Sequence, residues 1–377
     1  MDVIIEKNVG IQEIPKSDIP ELIKLLVLNG QLPFGILKNS ASDNFHISIC
    51  SPASLVSISD VLEISPIENK SGFIAFPFDE KEGYFIPSEI DAFELFEPSK
   101  IGHKKEFYSD FGFQSTNKTF FESAVSKAIQ EIKLGKFEKL VLGRKKEVNF
   151  SFDSLEPLIK SLISNYSEAN ICFFYFPNDG FWISASPEIL VEKKKGVKEM
   201  ETMALAGTKA YNGQNIRNQG WAEKEIEEQA LVSRFIKEQL KHSNFLNYEE
   251  KGPITIQAGN ILHLRTDFKI KADYSFDFLR IAKSLHPTSA VCGSPRTAAM
   301  NWILENEDYE RNFFTGFAGI ISPDFGKLIV ILRCGKIESN KITLYAGAGV
   351  TSSSIPNNEW EETQDKLQTL GRFLLDS

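Results

Sequence analysis

The chain has 377 residues, 42% of them hydrophobic and 25% charged, with a formal net charge of -9. That length supports a sizeable core in one large domain or two smaller ones, and the balance is that of a soluble globular protein. The negative charge excludes a broad attraction to nucleic acid or to an anionic membrane surface, while leaving room for a local positive pocket.

The N-terminus, MDVIIEKNVG, places Asp2 and Glu6 where a secretory signal has a basic start. No stretch approaches the roughly 20 apolar residues of a spanning helix, so a cytoplasmic location without a membrane or nucleic-acid partner is expected. IPELIKLLVLNGQL reads as one amphipathic helix closed by Asn29-Gly30. GFIAFPF and GYFIPS read as short strands around a DEKEG turn, and the polar FEPSKIGHKKEFYSD as a link to the rest of the chain. From Thr119 the pattern strengthens. FESAVSKAIQEIKLG sets Phe121, Val125, Ala128 and Ile132 on one helical stripe stopped by Gly135. KLVLGRKKEVNF reads as a strand, EPLIKSLISNY as a helix, and ANICFFYFPNDGFWISASPEILVEKK as a hairpin around Asn178-Asp179-Gly180. AEKEIEEQALVSRFIKEQL reads as a long helix, ITIQAGNILHLRTDFKIKA as a strand and NWILENEDYER as helical. The run from Gly316 to Val350 reads as three strands with turns at PDFG and ESN, and NNEWEETQDKLQTLGRFLL as a closing helix. Strands and helices mix without regular alternation, which points to an α/β (α+β) fold with substantial antiparallel sheet rather than an eight-repeat barrel. No segment reads as a coiled coil or pairing helix, so a monomer is expected. Cys50, Cys172, Cys292 and Cys334 lack metal or redox spacing and read as buried free thiols.

Chemistry-bearing residues are scattered through these elements. Lys139 opens a strand; it reads as an edge lysine or, if buried, as an amine whose desolvation favours the neutral form a base needs. Glu188, after Pro187, reads as a turn carboxylate or as an acid fixed at a strand end facing a cavity. LAGTKAYNG follows a strand with small, donor-rich residues, which suit either a surface loop or a site for an anionic small molecule. Glu225 and Glu228, and Glu359 and Glu362, each stand three apart on a helix. They are solvated acidic faces, or they converge on a hard cation such as Mg²⁺ that offsets their repulsion. His286, before a proline, reads as a substrate-orienting or a structural histidine. His263, between apolar neighbours, reads as a core hydrogen-bonding group. Arg333 ends an apolar strand and suits a forked pair with a carboxylate, from substrate or protein. There is no dinucleotide-binding GxGxxG or Walker A loop, and Gly347-Ala348-Gly349 is too short to serve as one.

Six stretches in fixed order, KLVLGRK, SPEIL, LAGTKAYNG, KEIEEQ, LHPTSAVCGSPR and YAGAGVTSSSIPNNEWEETQDK, resemble the motifs of the chorismate-utilising enzyme family. The resemblance covers roughly Thr119 to Leu375. It implies a chorismate-binding (anthranilate synthase component I-like) fold of two facing antiparallel sheets with outer helices. Residues 1–118 would be a variable N-terminal part of that fold and 119–377 the chorismate-binding catalytic region. Lys139 and the HPTSAVCGSPR stretch are most similar to the isochorismate synthase branch, with salicylate synthase and then aminodeoxychorismate synthase component I as alternatives. A non-catalytic anion-binding module is the alternative outside the enzymes. The resemblance implies that Lys139 is the base and Glu188 the acid. Glu228 and Glu362, helped by Glu225 and Glu359, would hold Mg²⁺. Gly207, Thr208, His286, Arg333, Gly347, Gly349 and Lys366 would bind chorismate. The product would feed menaquinone or siderophore synthesis, with no obligate protein partner. Two positions depart from the family pattern: Gln229 stands where a histidine is common, and Lys209 where an arginine is common.

Overall fold

A computed structural model of the chain describes residues 10–38, 43–60, 70–92, 95, 114–211, 213, 215–216, 220–258, 261–271 and 274–374. The expected polar link at 96–110 lies outside them. The elements in chain order are β1 (Gln12–Pro15), α1 (Ile19–Asn29), β2 (Phe34–Lys38), β3 (Asn44–Ile49), β4 (Val56–Ile58), β5 (Gly72–Phe76) and β6 (Gly83–Pro87). Then come α2 (Lys118–Lys133), β7 (Lys139–Asn149), α3 (Leu155–Asn165), β8 (Asn170–Phe176), β9 (Gly180–Ser186), β10 (Ile189–Lys193) and β11 (Glu199–Ala210). After these stand α4 (Glu223–His242), β12 (Tyr248–Ala258), β13 (Ile261–Lys271), α5 (Tyr274–Leu285), β14 (Gly293–Ser294) and α6 (Arg296–Asn306). The last are β15 (Phe317–Ile321), β16 (Gly326–Val330), β17 (Cys334–Glu338), β18 (Lys341–Val350) and α7 (Pro356–Gly371).

The strands form two nine-stranded antiparallel sheets, β1-β3-β2-β8-β9-β17-β18-β7-β14 and β12-β13-β11-β10-β16-β15-β5-β6-β4. Alternation along β8 shows why they face each other. Ile171, Phe173 and Tyr175 pack under α1, α3 and α7, whereas Cys172, Phe174 and Phe176 meet Phe73, Ala75 and Ile320 of the second sheet. Phe73 and Phe174 touch across the gap with ring centroids 5.8 Å apart. Helices α4 and α5 cover the outer face of the second sheet. Each fully enclosed aromatic in the middle layer contributes about 1.5–3 kcal/mol by burial. No described helix is long and apolar enough to cross a membrane.

Helix α2 buries the stripe of Phe121, Val125, Ala128 and Ile132, and the Asn117 side chain caps it by accepting from the Thr119 amide at 2.8 Å. Elsewhere the structure corrects the sequence reading. ITIQAGNILHLRTDFKIKA is two strands, β12 and β13, paired antiparallel, and the turn signal Gly259-Asn260 falls between them. The run from Gly316 to Val350 holds four strands, because KLIVILRCGKIE leaves the second sheet after Val330 and enters the first at Cys334. LAGTKA is not a loop but the end of β11, whose pairing with β13 shifts register between Ala206 and Lys209. Gly207 stands at that bulge with φ +68, where a side chain would be strained. Helix α5 has no counterpart among the expected elements.

Candidate active site

Two of the points at which the chain changes sheets meet at one cleft. Between β9 and β10 it passes through Pro187-Glu188, and between β16 and β17 through 331–333. Ile331 still packs between the sheets, but Glu188 and Arg333 turn out of the ladders at these crossings. Both crossings open on this one cleft. Its wall includes Val141, Gly347 and Gly349 from the first sheet, and Leu205 to Thr208 and His263 from the second. Glu188 and Arg333 come from the crossings, Glu228 from α4 and Lys366 from α7.

Glu188 is 2% exposed and takes a hydrogen bond from the Thr288 hydroxyl at 3.3 Å. Burial pushes its carboxyl up to about 7, against the opposing effects of Thr288 and the Lys139 charge. Lys139 is 1% exposed, with Nζ 2.7 Å from Glu228 Oε1. That contact is a charge pair without hydrogen-bond alignment, so the amine protons have no aligned acceptor among the described residues. Burial acts to raise the Glu228 carboxyl, but the charges of Lys139, Lys366 and Lys224 outweigh it and hold the group below its usual range. Gly349 makes room for this pair, since a Cβ there would lie 2.2 Å from Glu228 Oε1.

Arg333 has φ 49 and donates from Nη2 to His263 Nε2 at 3.1 Å. His263 Nδ1 faces the Gly207 carbonyl at 2.8 Å. A carbonyl only accepts, so Nδ1 carries the proton and Nε2 is free to accept from Arg333. Burial, then the adjacent arginine, pushes the imidazole down to about 3, so it is neutral. Lys366 reaches the Gly347 carbonyl at 2.8 Å and Glu362 Oε1 at 2.7 Å.

The acidic pairs adjoin this cleft. Glu225 lies against Gly207, 3.2 Å from where a Cβ would stand. Glu359 is 1% exposed and paired with Lys224 at 2.7 Å. Among the described residues no three acidic, histidine or cysteine groups stand close enough to ligate one ion. Glu228, Glu359 and Glu362 are each drawn to a lysine instead. The donors still suit a hard divalent cation. They are all carboxylate oxygens, and Glu359 is raised by burial and by the like charge of Glu362. Glu359 Oε2 is also buried with no aligned hydrogen bond.

Of the expected site residues, Glu188, Gly207, Thr208, Glu228, Arg333, Gly347, Gly349 and Lys366 line the cleft, and Lys139 reaches it through Glu228. Glu225, Glu359 and Glu362 stand at its acidic border. His286 is the correction. Its Nε2 meets the Pro77 carbonyl at 3.0 Å, and it packs edge-on against Phe76 and Phe317, away from the cleft. Burial pushes it down to about 3, the state of a neutral structural histidine. The sequence reading missed His263 as a cleft residue because its apolar neighbours are indistinguishable from a core strand. It also missed Thr288, which lies in a motif already singled out. Gln229, 2% exposed, ties α4 to the second sheet through the Ala204 carbonyl at 3.2 Å and the Thr266 hydroxyl at 3.0 Å. Lys209 is exposed and bonds the Gly220 carbonyl at 3.0 Å instead of entering the cleft.

The sequence profile of the family described as chorismate binding enzyme matches residues 89–375. The chain belongs to the chorismate-binding enzyme family. Every residue that lines the cleft falls inside the matched span. Among relatives in this family, the isochorismate synthase EntC of Escherichia coli (strain K12) is 30% identical over 318 residues, covering 78% of this chain and 79% of that protein. The solved structure of MenF, the menaquinone-specific isochorismate synthase from Escherichia coli, superposes with a TM-score of 0.77 at 21% identity, over 97% of this chain and 95% of that one. Anthranilate synthase component I from Streptococcus pneumoniae TIGR4 superposes with a TM-score of 0.64 at 19% identity, over 90% and 92% of the two chains. The shared fold is the chorismate-binding one, with two antiparallel sheets flanked by helices.

Proposed function

We propose that the protein is an isochorismate synthase that interconverts chorismate and isochorismate. The observation that carries this reading is the pairing of two buried groups of opposite kind at one cleft. Lys139 is an enclosed amine, and Glu188 is an enclosed carboxyl raised to about 7, so that near neutral pH it still holds a proton to give. The relatives named isochorismate synthase support the same reading.

In this mechanism Lys139, as its free amine, takes a proton from a water that attacks ring carbon 2. The ring double bonds shift, and Glu188 protonates the hydroxyl that leaves carbon 4 as water. One water enters and one departs, so the reaction is an isomerisation. Arg333, held by His263, binds a substrate carboxylate. Gly207, Thr208, Gly347, Gly349 and Lys366 shape and line the rest of the pocket. Glu228 and Glu362, supported by Glu225 and Glu359, would hold Mg²⁺, which when bound supplies charge stabilisation and orientation for the ring carboxylate. The three lysines on those carboxylates would then have to exchange partners.

The test is product analysis of purified protein incubated with chorismate, with and without Mg²⁺. Isochorismate formed only with Mg²⁺, free of salicylate and pyruvate, is the expected result. Stoichiometric salicylate and pyruvate would reassign the protein to salicylate synthesis, and an amino product with ammonia to aminodeoxychorismate synthesis. Binding without turnover would leave an anion-binding module. The isochorismate would supply menaquinone or catechol siderophore synthesis.

A further inference from the structure

Glu307 and Arg311 form an ion pair between α6 and β15 with side chains only 4% and 2% exposed. All five N–H groups of the guanidinium are used. Nε and one Nη2 hydrogen go to the Glu307 carboxylate. Nη1 donates to the Val291 carbonyl at 2.9 Å and the Thr315 hydroxyl at 3.2 Å, and Nη2 to the Val141 carbonyl at 2.7 Å. Glu307 Oε1 also accepts from the Gly143 amide at 2.6 Å. Phe78 lies against the guanidinium plane, 4.4 Å from ring centroid to Cζ.

What matters is where those acceptors sit. Val141, Val291 and Thr315 all line the cleft, and they come from three separate stretches of chain. Val141 and Gly143 belong to β7, the strand that opens with Lys139. Val291 closes a turn in which the Val291 and Cys292 amides donate to the Thr288 carbonyl at 3.1 and 3.0 Å. The Thr288 hydroxyl in turn donates to Glu188. One planar cation therefore reinforces, from the side, the direct backbone pairing of β7 with β14 and the Val141 amide bond to the Cys292 carbonyl at 2.9 Å, fastening the strand of the amine to the turn that holds the carboxyl.

We infer that Arg311, held flat by Glu307, is a positioning residue that sets the separation of Lys139 and Glu188. The inference rests on the assignment of those two groups as base and acid. Arginine is required because a lysine ammonium lacks the fork that spans Val141 and Val291 while keeping Glu307. A misplacement of about 1 Å between reacting groups costs on the order of 100-fold in rate. A residue that merely stabilised the fold would not produce a loss confined to turnover.

The experiment compares wild type, Arg311→Lys, Thr288→Val and the double variant. Arg311→Lys is expected to bind chorismate with KM within about threefold of wild type but to lose on the order of 100-fold in kcat per folded molecule. In the Thr288→Val background, where the link to Glu188 is already cut, the same change should cost at most about a third of that factor, because coupled sites are non-additive. Glu307→Asp keeps the charge but draws the guanidinium back by one carbon. It is read by the same kcat and KM criteria if Arg311→Lys does not fold. Wild-type kcat in the folded variant, or an equal factor in both Thr288 backgrounds, overturns the inference. Failure of wild type itself to convert chorismate is a failure of the functional reading, and is seen before any variant is made.

Discussion

Lys139 Nζ lies 2.7 Å from Glu228 Oε1, so a buried amine and a carboxylate assigned to the cation share one charge pair. Removing one partner of a buried pair leaves the other uncompensated, at a cost of about 3–5 kcal/mol. Glu228→Gln alone and Lys139→Met alone are each expected to destabilise the protein by that order. The double variant should be more stable than the sum of the two losses. Urea denaturation of all three decides it, and simple additivity would count against a coupled pair.

The Glu188 carboxyl rises from an ordinary 4.5 to about 7 on folding. Because the folded state binds this proton more tightly, the stability it contributes is fully present below about pH 4.5 and lost as pH rises through about 7. Glu188→Gln should flatten the pH dependence of stability across that window, gaining most relative to wild type at pH 8. The same ionisation predicts that turnover limited by the acid declines above pH 7. Denaturant melts of both proteins at pH 5 and pH 8 measure the first effect, and a pH–rate profile the second.

His263 gives Arg333 its acceptor and takes its own orientation from the Gly207 carbonyl. His263→Phe keeps a flat ring but removes both bonds. It should raise KM for chorismate about tenfold, the effect of roughly 1.4 kcal/mol of lost arginine positioning, with a smaller change in kcat. A lost kcat at unchanged KM would place the histidine in the chemistry instead.

A methyl group at Gly349 would meet Glu228 Oε1 at 2.2 Å and Lys139 Cε at 3.2 Å. Gly349→Ala should therefore leave the fold largely intact while displacing the carboxylate. Weaker Mg²⁺ binding by calorimetry and at least a 100-fold loss of turnover are expected. An alanine variant with wild-type Mg²⁺ affinity would show that Glu228 does not hold the ion.

Much of the layout was legible because local signals agreed with the global fold. The stripe of Phe121, Val125, Ala128 and Ile132, and the turn at Gly180, needed no tertiary knowledge. Adjacent strand pairs were harder. In a run such as KLIVILRCGKIE the stretch LIVIL is apolar without a break, and nothing in its periodicity marks the exit from the second sheet after Val330. Eight of the expected site residues line one cleft because their motifs sit at strand ends, helix starts and sheet crossings. His286 misled because a histidine before proline looks the same whether its ring meets substrate or, as here, a backbone carbonyl. Arg311 carried no sequence signal, since its role lies in three distant carbonyl and hydroxyl groups.

The strands before residue 118 are woven into both sheets: β2 pairs with β8, and β5 with β15. A shortened chain beginning at 119 would strip both partners and leave two long apolar borders, Asn170–Phe176 and Phe317–Ile321, open to any passing strand. Such a fragment would be an aggregation hazard rather than a minimal catalyst, so the N-terminal segment guards the solubility of a pocket that none of its described residues line.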